Sequence, residues 1–65
     1  MMFSLFDVVE LKEDIPDEGL YAGMVGAVIE VYCEPTEGYE VEFCDEQGRT
    51  ITQLALPPEK LKLSV

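Results

Sequence analysis

The sequence predicts a small all-β domain, and three observations carry this prediction. Five segments are rich in β-branched and aromatic residues or alternate between apolar and polar residues, which is typical of half-buried strands. Clusters of Gly, Pro, Asp and Glu separate these segments, as expected for turns and loops. The chain has 65 residues and 48% hydrophobic content, enough for one small core, so we expect a single domain over residues 1–65.

The first two strands are predicted on either side of a long loop. Residues 7–11 hold two adjacent valines and form the first predicted strand. Residues 12–22 contain Asp, Pro and Gly and predict the loop. Residues 25–32 are mostly apolar and β-branched, and they form the second predicted strand.

The second half of the chain predicts two hairpins, a helical turn and a last strand. In residues 39–44 apolar and aromatic side chains alternate with polar ones, which indicates a strand with one buried face. Residues 49–54 form the fourth predicted strand. A proline pair opens residues 57–60 and favours a single helical turn. Residues 61–65 alternate again and form the fifth strand.

The turns also predict a pairing register. The loop ending at Gly48 suits a three-residue hairpin connection, which places Phe43 opposite Ile51. In the preceding hairpin we expect Val31 opposite Val41, with both side chains facing inward. A slip by one residue would bring a glutamate to the buried face, which makes that alternative unfavourable.

The same register predicts that the two cysteines are free thiols. Cys44 would lie opposite Val28, and Cys33 is five positions further along that strand, roughly 17 Å away at the rise of a strand. A disulfide requires Cα atoms within about 7 Å.

Three glycines, Gly19, Gly23 and Gly26, lie just before the second strand and raise the question of a phosphate-binding loop. Their spacing matches neither G-x-x-x-x-G-K-[ST] nor G-x-G-x-x-G, and a β-branched segment follows them instead of a helix. We therefore interpret them as structural, providing positive φ in a turn or close backbone approach.

The order of these elements resembles that of SH3-like barrels. The pattern G-x-x-G-x-V-x-x-V in residues 23–31 is similar to the KOW motif of some ribosomal and transcription proteins. More narrowly, DVVELKEDIPDEGLYAGMVGAVIEVY, YEVEFCDEQGRT and LALPPEKL resemble the domain of unknown function 4926 family of short bacterial proteins. This resemblance implies a small five-stranded SH3-like barrel with one short helical turn before the last strand. It implies no activity.

The charge of the chain bears on its partners. Fourteen Asp and Glu against four Lys and Arg give a net charge of −10, which repels nucleic acid and attracts basic proteins. The start of the chain lacks the features of a signal peptide, and no segment is long and apolar enough to cross a bilayer, so we expect a cytoplasmic protein.

The composition argues against catalysis and against bound metals or cofactors. The chain has no histidine, and both cysteines have glutamates nearby in sequence, which disfavours a reactive thiolate. The carboxylates do not follow the spacing of a calcium loop. We expect no enzyme, no catalytic residue, no metal site and no cofactor.

The most informative surface is an acidic sheet face, which we predict from the register as the partner-binding site. Glu30 would lie directly opposite Glu42, and Glu40 would lie beside Tyr32. Like charges in cross-strand pairs destabilise a sheet, and almost no Lys or Arg is within reach. Two interpretations stay open: docking of a basic partner, or a face that only keeps the protein soluble.

The apolar segment over residues 1–6 also has two interpretations. It packs over an open end of the barrel, or it forms a homo-oligomer interface through Met2, Phe3 and Leu5. We expect Phe6 in the core. The other predicted core residues are Val8, Leu11, Ile15, Leu20, Val25, Ile29, Val31, Val41, Phe43, Ile51, Leu54 and Leu61.

These observations predict a non-catalytic acidic interaction module that docks a basic protein, as an accessory subunit, an inhibitor or an immunity-type protein. The alternative is a nucleic-acid-associated protein of the KOW type, which rests on the motif in residues 23–31 alone.

Overall fold

The structure, a computed structural model, describes residues 2–65 and has a five-stranded antiparallel sheet. Two short 3₁₀ turns, Pro16–Glu18 and Pro58–Lys60, lie in the connections. The all-β class, all five predicted strands and the helical turn before the last strand are confirmed, with small shifts at the ends. The strands are β1 Val8–Leu11, β2 Val25–Tyr32, β3 Gly38–Cys44, β4 Thr50–Leu56 and β5 Leu61–Leu63.

The sheet is open in the part of the chain that the structure describes. Its strand order is β4-β3-β2-β1-β5, so that β1 pairs with both β2 and β5, and β3 pairs with both β2 and β4. The two edge strands differ in length, because β4 has seven residues and β5 has three.

One face of the sheet carries the core. Alternation in β3 buries Tyr39, Val41 and Phe43, and the side chains between them lie on the other face. Five predicted core residues are confirmed as buried: Leu11, Leu20, Val41, Phe43 and Leu61. Three more, Ile15, Val31 and Leu54, are partly buried and pack against this core. The core also contains Phe3, Val9, Val28, Tyr39 and Leu56, which the prediction left out.

Three of the core residues predicted within the strands are wrong, and the sheet geometry explains each of them. Val8 is 49% exposed because Val9 and Leu11 occupy the inner positions of β1, and side chains two apart share a face. Val25 is 42% exposed and lies opposite Glu10 on the outer face. Ile51 is also 42% exposed, because the β3–β4 register shifts beside it.

The predicted pairing is wrong in both hairpins. Val31 lies opposite Tyr39 and not opposite Val41, a displacement of two residues at the hairpin, and each pair of strands also contains a register shift. Val28 lies opposite Val41 and Glu30 lies opposite Glu40, so Ile29 is an extra residue and forms a β-bulge. Ile29 is half-buried instead of fully buried. In the second hairpin Phe43 lies opposite Thr52, not Ile51. An extra residue reverses the inward–outward alternation of the strand beyond it, which local sequence patterns do not reveal.

The N-terminal segment packs partly over the sheet. Phe3 lies in the core, where its ring contacts Tyr39 edge to face with centroids 5.1 Å apart. Met2 and Leu5 are exposed, and Met1 lies outside the described residues. The prediction of Phe6 in the core is wrong: its side chain is 75% exposed and its φ is +70°. The segment turns at Phe6, whose N–H donates to Val28 O at 2.7 Å.

The glycines before β2 have structural roles, as predicted. Gly23 has a φ of +94° in the turn that leads into β2. Gly26 is buried opposite Phe43, and a Cβ there would lie only 2.7 Å from Glu42 O. Cys33 and Cys44 are exposed free thiols, which confirms the prediction that they form no disulfide.

Within residues 2–65, no helix has the length and apolar character that crossing a membrane requires.

Candidate functional site: an acidic sheet face

The outer face of β3 places two carboxylates side by side. Glu40 and Glu42 are half-buried and alternate with the buried residues of the strand. Their positions follow directly from the two-residue period, because burying Tyr39, Val41 and Phe43 turns the intervening side chains outward. Glu40 and Glu42 are thus about 7 Å apart along the strand.

Glu40 is the centre of this face. Glu30 lies directly opposite Glu40 on β2, so two carboxylates form a cross-strand pair. The Tyr32 hydroxyl donates to Glu40 Oε1 at 3.1 Å, and Gln53 Nε2 donates to Glu40 Oε2 at 3.2 Å. Both Glu40 oxygens therefore accept a hydrogen bond from a neutral donor, and neither forms an ion pair with a basic side chain of residues 2–65. Glu30 Oε1 accepts a bond from the Val31 N–H at 3.2 Å.

Glu42 occupies a different position from the predicted one. It lies opposite Ala27 on β2 and opposite Gln53 on β4, and not opposite Glu30. Two residues of this difference arise where the hairpin closes, with Tyr32 opposite Gly38, and the bulge at Ile29 adds the third. The structure thus brings Glu30, Tyr32 and Glu40 together and leaves Glu42 next to them. We refer to Glu30, Tyr32, Glu40 and Glu42 as the acidic face.

The acidic face changes the ionisation of its tyrosine. The pKa of Tyr32 is raised above 10.0, first because its hydroxyl donates to Glu40, and also because of partial burial and the negative charges of Glu40 and Glu30. Tyr32 therefore stays protonated at neutral pH and remains a hydrogen-bond donor.

The basic side chains of the chain form their ion pairs elsewhere. Arg49 pairs with Asp45 at 2.9 Å, Lys60 with Glu13 at 3.4 Å, and Lys62 with Glu10 at 3.5 Å. None of these pairs includes Glu30, Glu40 or Glu42. Over residues 2–65, the carboxylates of the acidic face are thus without an ion-pair partner.

A shallow groove of about 390 Å³ lies next to the acidic face. Tyr32 forms part of its wall, together with Pro35 and Pro57, and the peptide bond before Pro35 is cis. Glu34 and Glu37 add two more carboxylates at this end of the sheet. The groove therefore combines flat apolar surfaces with negative charge.

Sequence reasoning missed a second tyrosine–glutamate contact. The buried Tyr39 hydroxyl donates to Glu37 and accepts bonds from the N–H groups of Met2 and Phe3, at 3.1 and 3.2 Å. The Glu37 carboxylate accepts a hydrogen bond from the Tyr39 hydroxyl and another from the Met2 N–H. These two bonds hold the pKa of Glu37 below its ordinary value. A buried tyrosine usually needs a hydrogen-bond partner for its hydroxyl. The inward position of Tyr39 in the alternating pattern therefore indicated that such a contact must exist.

The described residues 2–65 contain no group of three or more His, Cys, Asp or Glu side chains that could hold a metal ion. The acidic face thus consists of three carboxylates, two of them in a cross-strand pair, and a tyrosine hydroxyl.

Comparisons with known proteins place the chain in a family without assigning it an activity. Comparison with curated proteins and with solved structures finds no match. A family model matches residues 5–63, which includes all five strands and every residue of the acidic face. The chain therefore belongs to the family described as Domain of unknown function (DUF4926).

Proposed function

We propose that this protein is a non-catalytic interaction module whose acidic face docks a basic protein partner. The observation that supports this most directly is the cross-strand Glu30–Glu40 pair, which has no ion-pair partner among the described residues 2–65. Like charges directly opposite destabilise a sheet by up to about 1 kcal/mol. A Lys or Arg from a partner would remove this repulsion and form the missing ion pairs.

The neighbouring groups suit such a partner. Tyr32 offers an amphipathic ring at the edge of the carboxylates, and aromatic residues are enriched in protein interfaces. The net charge of −10 would speed the approach of a basic protein and make association sensitive to salt. An accessory, inhibitory or immunity-type role fits a small module of this kind.

Charge reversal at two sites tests the proposal. The variant E30K/E42K replaces two carboxylates of the acidic face and keeps the Tyr32–Glu40 hydrogen bond. The control D17K/E18K reverses two exposed carboxylates in the first 3₁₀ turn, outside the sheet. Both variants move the net charge from −10 to −6. They therefore separate the effect of the acidic face from the effect of total charge.

The measurement is affinity capture from the native host lysate at low and high salt, with bound proteins identified by mass spectrometry. We expect a basic protein that binds the wild type and D17K/E18K at low salt, and that is lost with E30K/E42K or at high salt. If both variants lose the partner equally, the net charge of the protein and not the acidic face controls binding. Retention by E30K/E42K would refute docking through this face.

The nucleic-acid alternative rests on the resemblance of residues 23–31 to the KOW motif. The negative net charge opposes it, because binding to a polyanion depends on Lys and Arg contacts to phosphates. A mobility-shift assay with labelled RNA and DNA at low salt tests this alternative. A shift that disappears with rising salt would favour it over protein docking.

We further propose a cytoplasmic bacterial protein whose sheet curls as in an SH3-like barrel. Two features support the barrel: β1 pairs on both sides, and the register shifts in β2–β3 and β3–β4 mark bulges, which bend and twist strands. An experimental structure in which the sheet stays flat would contradict it.

A further inference from the structure

Strand β4 is an open edge of the sheet. Its residues Thr50–Leu56 pair with β3 on one side, and the other side makes no backbone hydrogen bond to any part of residues 2–65. In an antiparallel edge strand, alternate N–H and C=O groups point away from the sheet and can pair with another strand. An edge of seven residues is long enough to form several such bonds.

Beyond the bulge at Ile51, this edge lacks the features that normally prevent strand addition. The sequence TITQLAL has no charged residue and no proline, whereas every other strand carries at least one charge. The opposite edge, β5, is short and carries Lys62, which pairs with Glu10. Short length and edge lysines are typical means of blocking an edge. Protection is therefore present along β5, whereas in β4 it is limited to the bulge at Ile51.

The surroundings of β4 determine which kind of strand it suits. On the outer face, Ala55 lies beside Glu40 and Gln53 lies beside Glu42. A strand added to β4 would lie two strand spacings, about 10 Å, from these carboxylates, and the small side chain of Ala55 leaves a path for a long cationic side chain. On the inner face, Leu54 is only half-buried and offers apolar surface.

We propose that β4 accepts an extended segment of the basic partner as a sixth strand. This inference rests on the proposed function and specifies how the partner binds. Lys or Arg at every second position of that segment would face Glu40 and Glu42, and apolar side chains at the positions between would cover Leu54. Backbone hydrogen bonds supply affinity, and the alternation supplies specificity. A second copy of this chain suits the edge poorly, because both copies carry a net charge of −10.

The test uses synthetic peptides and the ¹⁵N-labelled full chain at low salt. The first peptide is acetyl-Val-Lys-Val-Lys-Val-Lys-Val-amide. The second has the same sequence but N-methyl groups on two adjacent central residues, which blocks hydrogen bonding on both of its edges without changing its charge. The third has the same composition with the lysines in one block. Chemical shifts and amide hydrogen exchange are measured for each.

We expect the first peptide to slow exchange roughly tenfold or more at those β4 amides that are not bonded to β3. The N-methylated peptide should bind about tenfold more weakly, since whichever edge faces β4 has lost one N–H donor and carries in its place a methyl group that clashes with the β4 backbone. The block peptide should protect β4 less, because its lysines cannot all face Glu40 and Glu42 from a regular strand.

Three results would overturn the inference. Equal binding of the first two peptides, with shifts at the acidic face and no new protection in β4, would mean that electrostatic docking occurs without strand addition, and the proposed function would stand. Absence of binding by all three would contradict the sixth strand, and the capture experiment with E30K/E42K would still decide the proposed function. Protection of β4 that rises with protein concentration alone would assign the edge to a second copy.

Discussion

Tyr39 joins the N-terminal segment to the sheet through both its ring and its hydroxyl. Its ring contacts Phe3, and its hydroxyl accepts the N–H groups of Met2 and Phe3 and donates to Glu37. Glu37 also accepts a bond from the Met2 N–H at 3.3 Å. Because Glu37 is hydrogen-bonded in its ionised form, part of the attachment of this segment depends on pH.

The first prediction concerns the stability of the fold at acidic pH. The folded protein holds the pKa of Glu37 below its ordinary value of 4.5, so the unfolded chain binds more protons as the medium is acidified. The stability that Glu37 contributes is present above about pH 4.5 and is lost as the pH falls through the folded pKa. E37Q should therefore lower the free energy of unfolding at pH 7, and the difference from the wild type should shrink towards pH 3.

Urea unfolding at several pH values measures this effect. E18Q is the control, since it removes one exposed loop carboxylate and leaves the Tyr39 contact intact. A difference between E37Q and the wild type that stays constant from pH 7 to pH 3 would contradict the assigned role of Glu37.

The second prediction concerns the acidic face. The bond from Tyr32 to Glu40 and the charges of Glu40 and Glu30 raise the pKa of Tyr32, so E40Q should lower this pKa towards 10.0. Titration of ¹³Cζ-labelled tyrosine by NMR resolves the side chains individually. Tyr39 is an internal control, because burial and Glu37 raise its pKa and E40Q alters neither. If E40Q leaves Tyr32 unchanged, the hydrogen bond to Glu40 does not persist in solution.

At the scale of the elements, Gly26 lies where β2 and β3 leave no room for a side chain. A Cβ at this position would lie 2.7 Å from Glu42 O, 2.8 Å from Val41 Cγ1 and 3.0 Å from Phe43 Cδ1. The carbonyl belongs to the backbone of β3 and cannot move without shifting the strand. Gly26 therefore allows β2 and β3 to approach each other behind the acidic face.

The third prediction follows from this contact. G26A should destabilise the protein by about 1–3 kcal/mol, because it overpacks the core. For a domain of this size each kcal/mol corresponds to roughly 4–8 °C in Tm. G38A is a matched control in β3, where the nearest atom to a new Cβ is Leu56 O at 3.7 Å. Thermal unfolding should show a large loss for G26A and a small change for G38A; equal losses would rule out close packing as the cause.

The same elements show how far the sequence predicts this fold. Alternation in residues 39–44 predicted the buried and exposed faces of β3 correctly, because a half-buried strand requires it. The positions of Glu40 and Glu42 on the outer face followed. The pairing of Glu30 was predicted wrongly, because the β2–β3 hairpin closes with Tyr32 opposite Gly38, two residues away from the register inferred from the turn. The sequence left the position of Phe3 open between packing on the domain and an oligomer interface, because its burial depends on a distant contact with Tyr39.

At the scale of the whole molecule, the dominant feature is uncompensated negative charge. The three ion pairs of the described residues all have at least one well-exposed partner, and such pairs contribute little to stability. The remaining carboxylates repel one another in the folded state more strongly than in the expanded unfolded chain. A net charge of −10 on 65 residues should therefore lower the stability of the fold.

The fourth prediction is that salt stabilises this protein. Raising NaCl from about 20 to 300 mM shortens the range of repulsion between exposed carboxylates to well below the size of the domain, so Tm should rise by several degrees. E30K/E42K should gain more in Tm at low salt than D17K/E18K and respond less to salt, because it breaks up the cluster around Glu40.

Differential scanning calorimetry of the three proteins in NaCl and in choline chloride separates screening from binding of a particular cation. A Tm that falls with salt, or two variants with the same profile, would mean that the acidic face does not concentrate the repulsion, and the case for a cationic partner at Glu30 and Glu40 would lose its energetic basis.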